Sequence, residues 1–360
     1  MIEGGHGGNA RDQKTSKGEQ EERYAALDLG TNNCRLLIAA PRGKQLRIID
    51  AFSRIVRLGE GVSTSGVLSE PAMVRAIEAL EVCAEKLLRR GVTHSRCIAT
   101  QACRSAGNGQ VFLDRVKKET GLAFEIISPE EEARLAVAGC ADLLDPAAKA
   151  ALIFDIGGGS TEVSWMQRTQ SDRPAEIAAW TSMPIGVVNL AEKWGGRDLD
   201  SEIYEKIVDE VRSTIAGVGD PAGMKNVFEK NQAHFLGTSG TVTSIAGVHL
   251  ALPRYRRDSV DGLWLQASET RAVTDKLRAM SFDERSAEPC IGVERADLVV
   301  CGCAILEALL REWPADRIRV ADRGLREGIL EDLARKSRKD RNRQRRRAKK
   351  RAKQNLEKSE

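Results

Sequence analysis

Leu152-Ile153-Phe154-Asp155-Ile156-Gly157-Gly158-Gly159-Ser160-Thr161-Glu162-Val163 is the stretch around which the rest of the chain can be read. An apolar, strand-like run ends in a carboxylate. Three glycines and two hydroxyls follow, and a second carboxylate opens another strand-like run. Glycine lets the backbone take positive φ and lets N–H groups come close to an anion, so this turn can cradle phosphate oxygens. Asp155 and Glu162 flank it as hard oxygen ligands of the kind that hold a phosphate-bound Mg²⁺ together with water. Read alone, the same residues also describe a glycine-rich hairpin whose Asp only caps the turn.

The pattern occurs twice. Tyr24-Ala25-Ala26-Leu27-Asp28-Leu29-Gly30-Thr31-Asn32-Asn33-Cys34-Arg35-Leu36-Leu37-Ile38-Ala39 also runs from apolar strand to Asp, through a small-residue turn, into a second apolar strand. Two such hairpins imply two similar lobes facing one another across a cleft. A third turn, Gly237-Thr238-Ser239-Gly240, follows the short strand His234–Leu236 and precedes a helical run; alone it is a weak signal. In order and spacing the first two turns resemble the exopolyphosphatase and guanosine pentaphosphate phosphohydrolase (Ppx/GppA) family, within the superfamily of actin, sugar kinases and chaperone ATPases. The resemblance implies an α/β fold of two ribonuclease H-like lobes, each a mixed sheet flanked by helices, around an interdomain cleft.

Other segments extend it. Gln101 to Asn108 follows a buried strand at Ser95–Thr100 and resembles the family signature whose arginine helps to hold phosphate; a surface salt bridge is the other reading of Arg104. In Ser128-Pro129-Glu130-Glu131-Glu132, Ser128 reads as an N-cap, Pro129 as the first helical residue and Glu131 as the partner in a capping box. Glu132 is left over. By sequence alone it belongs to a solvated helix start; by resemblance it matches the catalytic glutamate, the general base that takes a proton from attacking water. Leu263 to Met280 reads as a helix. Ile291 to Asp297 and Asp322 to Leu330 match two further family segments, the first read as structural, the second as crossing back to the first lobe. The resemblance covers about residues 23–333.

The expected organisation is an arm at 1–22 without order, a first lobe at 23–145 rejoined by a helix at about 322–334, a second lobe at 146–321, and a basic tail at 335–360 without order. Longer family members carry a further helical module after this point, and this chain reads as the short two-lobe form. Its 360 residues suffice for two cores, and 41% apolar with 30% charged residues describes a globular protein. The net charge of +4 conceals an asymmetry: residues 335–353 hold 13 Lys or Arg against one acid, Asp340, so the remainder is negative. That tail reads either as a solvated segment or as a tether for polyphosphate, RNA or another polyanion. Eight cysteines without CxxC or zinc-site spacing read as reduced thiols of a cytoplasmic protein. No run approaches the ~18 apolar residues of a membrane span.

These parts imply Mg²⁺-assisted attack of water on a terminal phosphate, with Mn²⁺ as an alternative ion. Asp155 and Glu162 are assigned to the metal and Glu132 to the base. Gly30, Thr31, Asn32, Asn33, Arg104, Gly157, Gly158, Gly159, Ser160, Thr161, Gly237, Thr238, Ser239 and Gly240 are assigned to phosphate. Inorganic polyphosphate is the expected substrate and guanosine pentaphosphate the alternative. A non-catalytic nucleotide or polyanion sensor using the same cleft is the reading from another class. Short two-lobe relatives suggest a homodimer.

Overall fold

The computed structural model describes residues 22–43, 45–169 and 175–356. Its strands are β1 (Tyr24–Leu29), β2 (Asn33–Arg42), β3 (Gln45–Ile55), β4 (His94–Ala99), β5 (Phe124–Ile126), β6 (Ala150–Ile156), β7 (Thr161–Gln167), β8 (Glu176–Met183), β9 (Ala233–Thr238), β10 (Trp264–Gln266) and β11 (Arg317–Val320). They form two sheets, in the orders β3-β2-β1-β4-β5 and β10-β11-β9-β6-β7-β8. In each, the first strand pairs antiparallel with the second, the second with the third, and the first runs parallel to the fourth. The series β6-β7-β8-β9-β11 therefore repeats β1-β2-β3-β4-β5, with β10 added antiparallel at one edge. Helices flank both sheets. This repeated mixed α/β arrangement is the two-lobe fold that the paired hairpins imply.

Burial follows the apolar runs. All six residues of β1 are buried, as suits a central strand, whereas the edge strand β3 has no buried residue. The core of the second sheet is built on aromatic side chains, with Trp165 against Trp313 and Phe228 against both Trp313 and Phe235. All eight cysteines are free and buried. Among the described residues no helix is long and apolar enough to cross a membrane.

The chain leaves the second sheet after β11 and enters the helix Leu325–Leu356, which lies on the first sheet. Leu325, Ile329, Leu330, Leu333 and Ala334 pack there against Tyr24, Ala26, Leu37 and Ala39. This helix crosses the helix Pro129–Cys140 at very close range. A Cβ on Gly139 would fall 1.9 Å from the Gly324 carbonyl oxygen, and one on Gly328 2.1 Å from that of Leu135, so only glycine permits the approach.

Two expectations are corrected. Leu263–Met280 is not helical throughout: Trp264–Gln266 is the edge strand β10 and the helix spans Ala267–Ala279, because Leu265 fills the core and Gln266 takes the N-cap position. The returning helix does not stop near 334 but continues to Leu356. Residues 335–356 contain neither Gly nor Pro and are rich in Arg, Lys, Gln and Ala, all good helix formers. Ser337 is buried and donates to Glu22, to which Arg341 also pairs. The amino-terminal arm, except Glu22, lies outside the described residues, as do the last four residues of the tail.

Candidate active site

The hairpin β6–β7 sets Asp155 directly across its ladder from Glu162, and the β6–β9 pairing sets Thr238 across from Asp155. In the first hairpin the same positions are Asp28 and Arg35. One hairpin thus offers two carboxylates at its mouth and the other a carboxylate and a guanidinium.

The two turns meet. A Cβ on Gly158 would lie 3.1 Å from Thr31 Cβ, and one on Gly159 2.8 Å from Thr31 Oγ1, so these glycines are required for contact between the halves. Asn189 braces the glycine turn from outside, donating to the carbonyls of Gly159 at 3.2 Å and Pro184 at 3.0 Å. The amides of Gly30 and Gly157 close their own hairpins onto Asn33 and Ser160, each at 2.9 Å. The amides of Thr31, Asn32, Gly158 and Gly159 have no protein acceptor among the described residues. Free amides on abutting turns are the raw material of an anion nest.

Glu132 comes from the start of the helix Pro129–Cys140. Ser128 Oγ accepts from the Glu131 amide at 3.2 Å, but the Glu131 carboxylate pairs with Arg96 and Arg134 instead of returning to the cap. Only half of the expected capping box therefore forms. One helical step on, Glu132 turns into the cleft with its side chain 12% exposed, and both terminal nitrogens of Arg104 reach its Oε2 at 3.2 Å. Arg104 also donates to the Ile127 carbonyl and the Gln101 amide oxygen, each at 2.7 Å. In this state its guanidinium positions the glutamate.

Electrostatics mark the place. Burial pushes Glu132 well above the usual glutamate range, with Glu162 adding to the effect and Arg104 opposing it. Glu162 is pushed up to about 7, by burial first and then by Asp155, while hydroxyls of Ser182 and Ser160 and the charge of Arg104 hold it back. Asp28 rises to about 6 through burial, opposed by Arg35 and Arg326. Asp155 also rises through burial, against Arg35, the Thr238 hydroxyl and Arg326. Beside them burial lowers Arg295 and Arg326, and Arg35 repels both. Four carboxylates are thus crowded against three guanidiniums in a poorly hydrated cleft. Groups perturbed by burial and by specific charged neighbours are the mark of a functional site.

Of the residues assigned from sequence, the fold gathers Glu132, Asp155, Glu162, Gly158, Gly159, Thr31 and Asn32. Ser160 lies close enough to Glu162 to hold its pKa back, and Ser182 donates to the same carboxylate at 2.8 Å. Thr161 is fully buried and donates its hydroxyl to the Ile185 carbonyl at 2.7 Å, so it anchors the hairpin. Gly237 is a packing residue, since a Cβ there would strike the Phe154 ring at 2.5 Å. Gly240 has open space around it, and Ser239 takes a positive φ of 86° with its buried hydroxyl unpartnered, at the start of the helix Ser239–His249. Sequence reasoning missed Arg35, Arg326, Ser182 and Asn189, and read Arg295 as structural. Arg35 alone carried a usable signal: counting across the hairpin places it opposite Asp28.

No group of three or more His, Cys, Asp or Glu is arranged to hold a metal by itself among the described residues. That suits Mg²⁺, which is usually held by one or two carboxylates with water and substrate phosphate completing its shell. Asp155 and Glu162 supply such a pair. The side-chain oxygens of Asn32 and Asn33, buried without a donor, add further hard oxygens at the adjoining turn. The donor set fits a hard divalent cation.

A family model described as the Ppx/GppA phosphatase family matches residues 37–337. Exopolyphosphatase 2 of Mycobacterium tuberculosis is 29% identical over 326 residues, covering 87% of this chain and 98% of that protein. The guanosine-5'-triphosphate,3'-diphosphate pyrophosphatase of Photobacterium profundum is 28% identical over 316 residues, covering 88% of this chain and 60% of that one. Among solved structures, the Aquifex aeolicus Ppx/GppA family member superposes with a TM-score of 0.72 at 29% identity, over 88% of this chain and 99% of that one. An exopolyphosphatase from Cytophaga hutchinsonii does so at 0.76 and 25% identity, over 86% and 96%.

Proposed function

Because the chain belongs to the Ppx/GppA phosphatase family, we propose that its cleft hydrolyses the terminal phosphoanhydride bond of inorganic polyphosphate. One observation carries this reading: two abutting turns with unpaired amides lie beside Asp155, Glu162 and Glu132. That is an anion nest adjoining a cation site and a base, the set that phosphoryl transfer to water needs. The extent of the match supports polyphosphate, since the Mycobacterium exopolyphosphatase is covered almost end to end.

In this mechanism the amides of Thr31, Asn32, Gly158 and Gly159 bind non-bridging oxygens of the last phosphates. Arg35, Arg295 and Arg326 balance the charge that the chain brings. Asp155 and Glu162 would hold Mg²⁺, which when bound neutralises charge on the transferring phosphoryl group. Glu132, kept basic by its dry surroundings, takes the proton from water as the water oxygen bonds to phosphorus. The bridging P–O bond breaks, and the shortened chain leaves as an anion stabilised by the same donors. Arg104 holds the glutamate on the attacking side. The eight free, buried thiols support a reducing, cytoplasmic setting.

A second substrate, guanosine pentaphosphate, is favoured by the similarity to the Photobacterium enzyme. Purified protein assayed with both substrates separates the two. We expect phosphate release from polyphosphate in the presence of Mg²⁺, loss of release with a chelator, and recovery when the ion is returned. Binding of both compounds without release in any divalent cation would leave a sensor and sink the catalytic reading.

A further inference from the structure

The helix Leu325–Leu356 has two unlike parts. Up to Ala334 it is a core element; beyond that it is a rod of charge. Arg338, Lys339, Arg341, Asn342, Arg343, Gln344, Arg346 and Arg347 are exposed, and Lys339, Asn342, Arg343, Arg346 and Arg347 line one groove along the helix. Their spacing places them on one face. Between Lys336 and Asn355 the only apolar residues are Ala348 and Ala352. No apolar stripe exists there to enter a membrane interface or a coiled-coil seam, so whatever binds this segment binds through charge.

The rod points away from the cleft. Arg326 lies near Asp28 at the carboxyl end of β1, while Ser337 and Arg341 bond Glu22 just before its amino end. The basic segment therefore emerges at the opposite end of the first sheet from the reacting groups. At 1.5 Å per residue, Leu356 stands about 45 Å along the axis from Arg326. The same end carries a second cationic feature, a groove of about 390 Å³ lined by Arg23, Arg47 and Arg90. A phosphate chain held in the cleft would have to leave it and pass the whole lobe to reach either.

We propose that this helix is a nucleic-acid-binding element, gripping the sugar–phosphate backbone independently of the catalytic cleft. Arginine outnumbers lysine eight to five over residues 335–353. Its planar fork matches phosphate oxygens two at a time and stacks on exposed bases, which a bare phosphate chain lacks. Asn342 and Gln344, interleaved with the arginines, add neutral donors and acceptors for sugar or base edges. The element would hold the enzyme on RNA or DNA while the cleft works on free substrate.

The test measures binding of the full chain to a labelled RNA hairpin, to a DNA duplex of the same stem sequence, to long inorganic polyphosphate and to vesicles containing an anionic phospholipid. We expect nucleic-acid affinity to fall by about 10³-fold or more between about 50 and 200 mM salt. A chain truncated after Ser337 should lose at least about 10²-fold at low salt. The full-length triple variant Arg343→Gln, Arg346→Gln, Arg347→Gln should show a salt slope shallower by about one unit per arginine. Preference for the hairpin identifies RNA as the partner; equal affinity identifies recognition of the backbone common to both. Unchanged nucleic-acid binding by the truncated chain, or tail-dependent capture of polyphosphate or vesicles with nucleic acid left unbound, overturns the proposal. Binding is read without turnover, so a chain that binds but does not hydrolyse would count against the catalytic reading alone.

Discussion

Glu132 shows how far a single side chain can be read from its neighbours. Sequence placed it one step beyond a capping glutamate, and the cleft holds it against Arg104 at 3.2 Å, dry and beside Glu162. Asp155 and Glu162 were legible for the same reason: a seven-residue hairpin interval forces them face to face. Arg35 could be found by counting across the first hairpin to Asp28, but the guanidiniums of Arg295 and Arg326 could not, because distant segments deliver them and only the tertiary fold brings them together. Thr161 and Gly237 misled in the opposite direction, since a turn hydroxyl or glycine serves the hairpin or the core as readily as a ligand. Arg104 favours the charged form of Glu132, so its removal raises that pKa further. A base must be deprotonated to act. Arg104→Gln should therefore shift the ascending limb of the kcat/KM profile to higher pH and lower the plateau by about 10-fold or more. A parallel profile with only its height reduced would show that Arg104 acts elsewhere.

The helix carrying Glu132 is held at its depth by the crossing with Leu325–Leu356, where Gly139 and Gly328 let two backbones touch. Replacing Gly328 by Ala puts a methyl group 2.1 Å from the Leu135 carbonyl oxygen, a backbone atom that cannot swing aside. Gly328→Ala should cost about 1–3 kcal/mol and reduce kcat more than it raises KM, because the base is displaced while the phosphate turns stay in place. Denaturant unfolding and steady-state kinetics on one preparation check both. Such a crossing has no signature in sequence, since the glycines read as ordinary helix residues. Sequence also took β10 for helix, because three residues are too few to show a period of two, and it stopped the last helix where apolar spacing ended although the backbone propensity did not.

Seen across both sheets, the molecule is one topology used twice, and that much was legible because the two hairpins repeat the same order of residue types. How the halves are joined was not. Arg57 reaches across to Asp297 at 3.0 and 3.2 Å, and Glu192 accepts from the Gly61 amide at 2.7 Å and the Ser63 hydroxyl at 2.6 Å. These exposed or half-buried contacts contribute little stability individually, about 0–1 kcal/mol each, yet they hold the turns in register. Acid sensitivity should arise elsewhere, at Asp50, which Lys86 and Arg90 hold at about 2. A depressed carboxylate stabilises the fold above its unfolded pKa, and that contribution fades as pH falls from about 4 toward 2. With solvent screening allowed for, it is about 1 kcal/mol. Asp50→Asn should lower Tm by about 1–3 °C at pH 7, by about half as much near pH 3, and by nothing measurable below about pH 2.

The central claim is that one buried glutamate activates water against a phosphate chain gripped between two glycine-rich turns. Its most direct test is phosphate release from polyphosphate by Glu132→Gln under single-turnover conditions with Mg²⁺, alongside the affinity of the same variant for the substrate. The account predicts release slowed by about 10²-fold or more with affinity retained within a few fold. Release at the unmodified rate by a folded variant would contradict it.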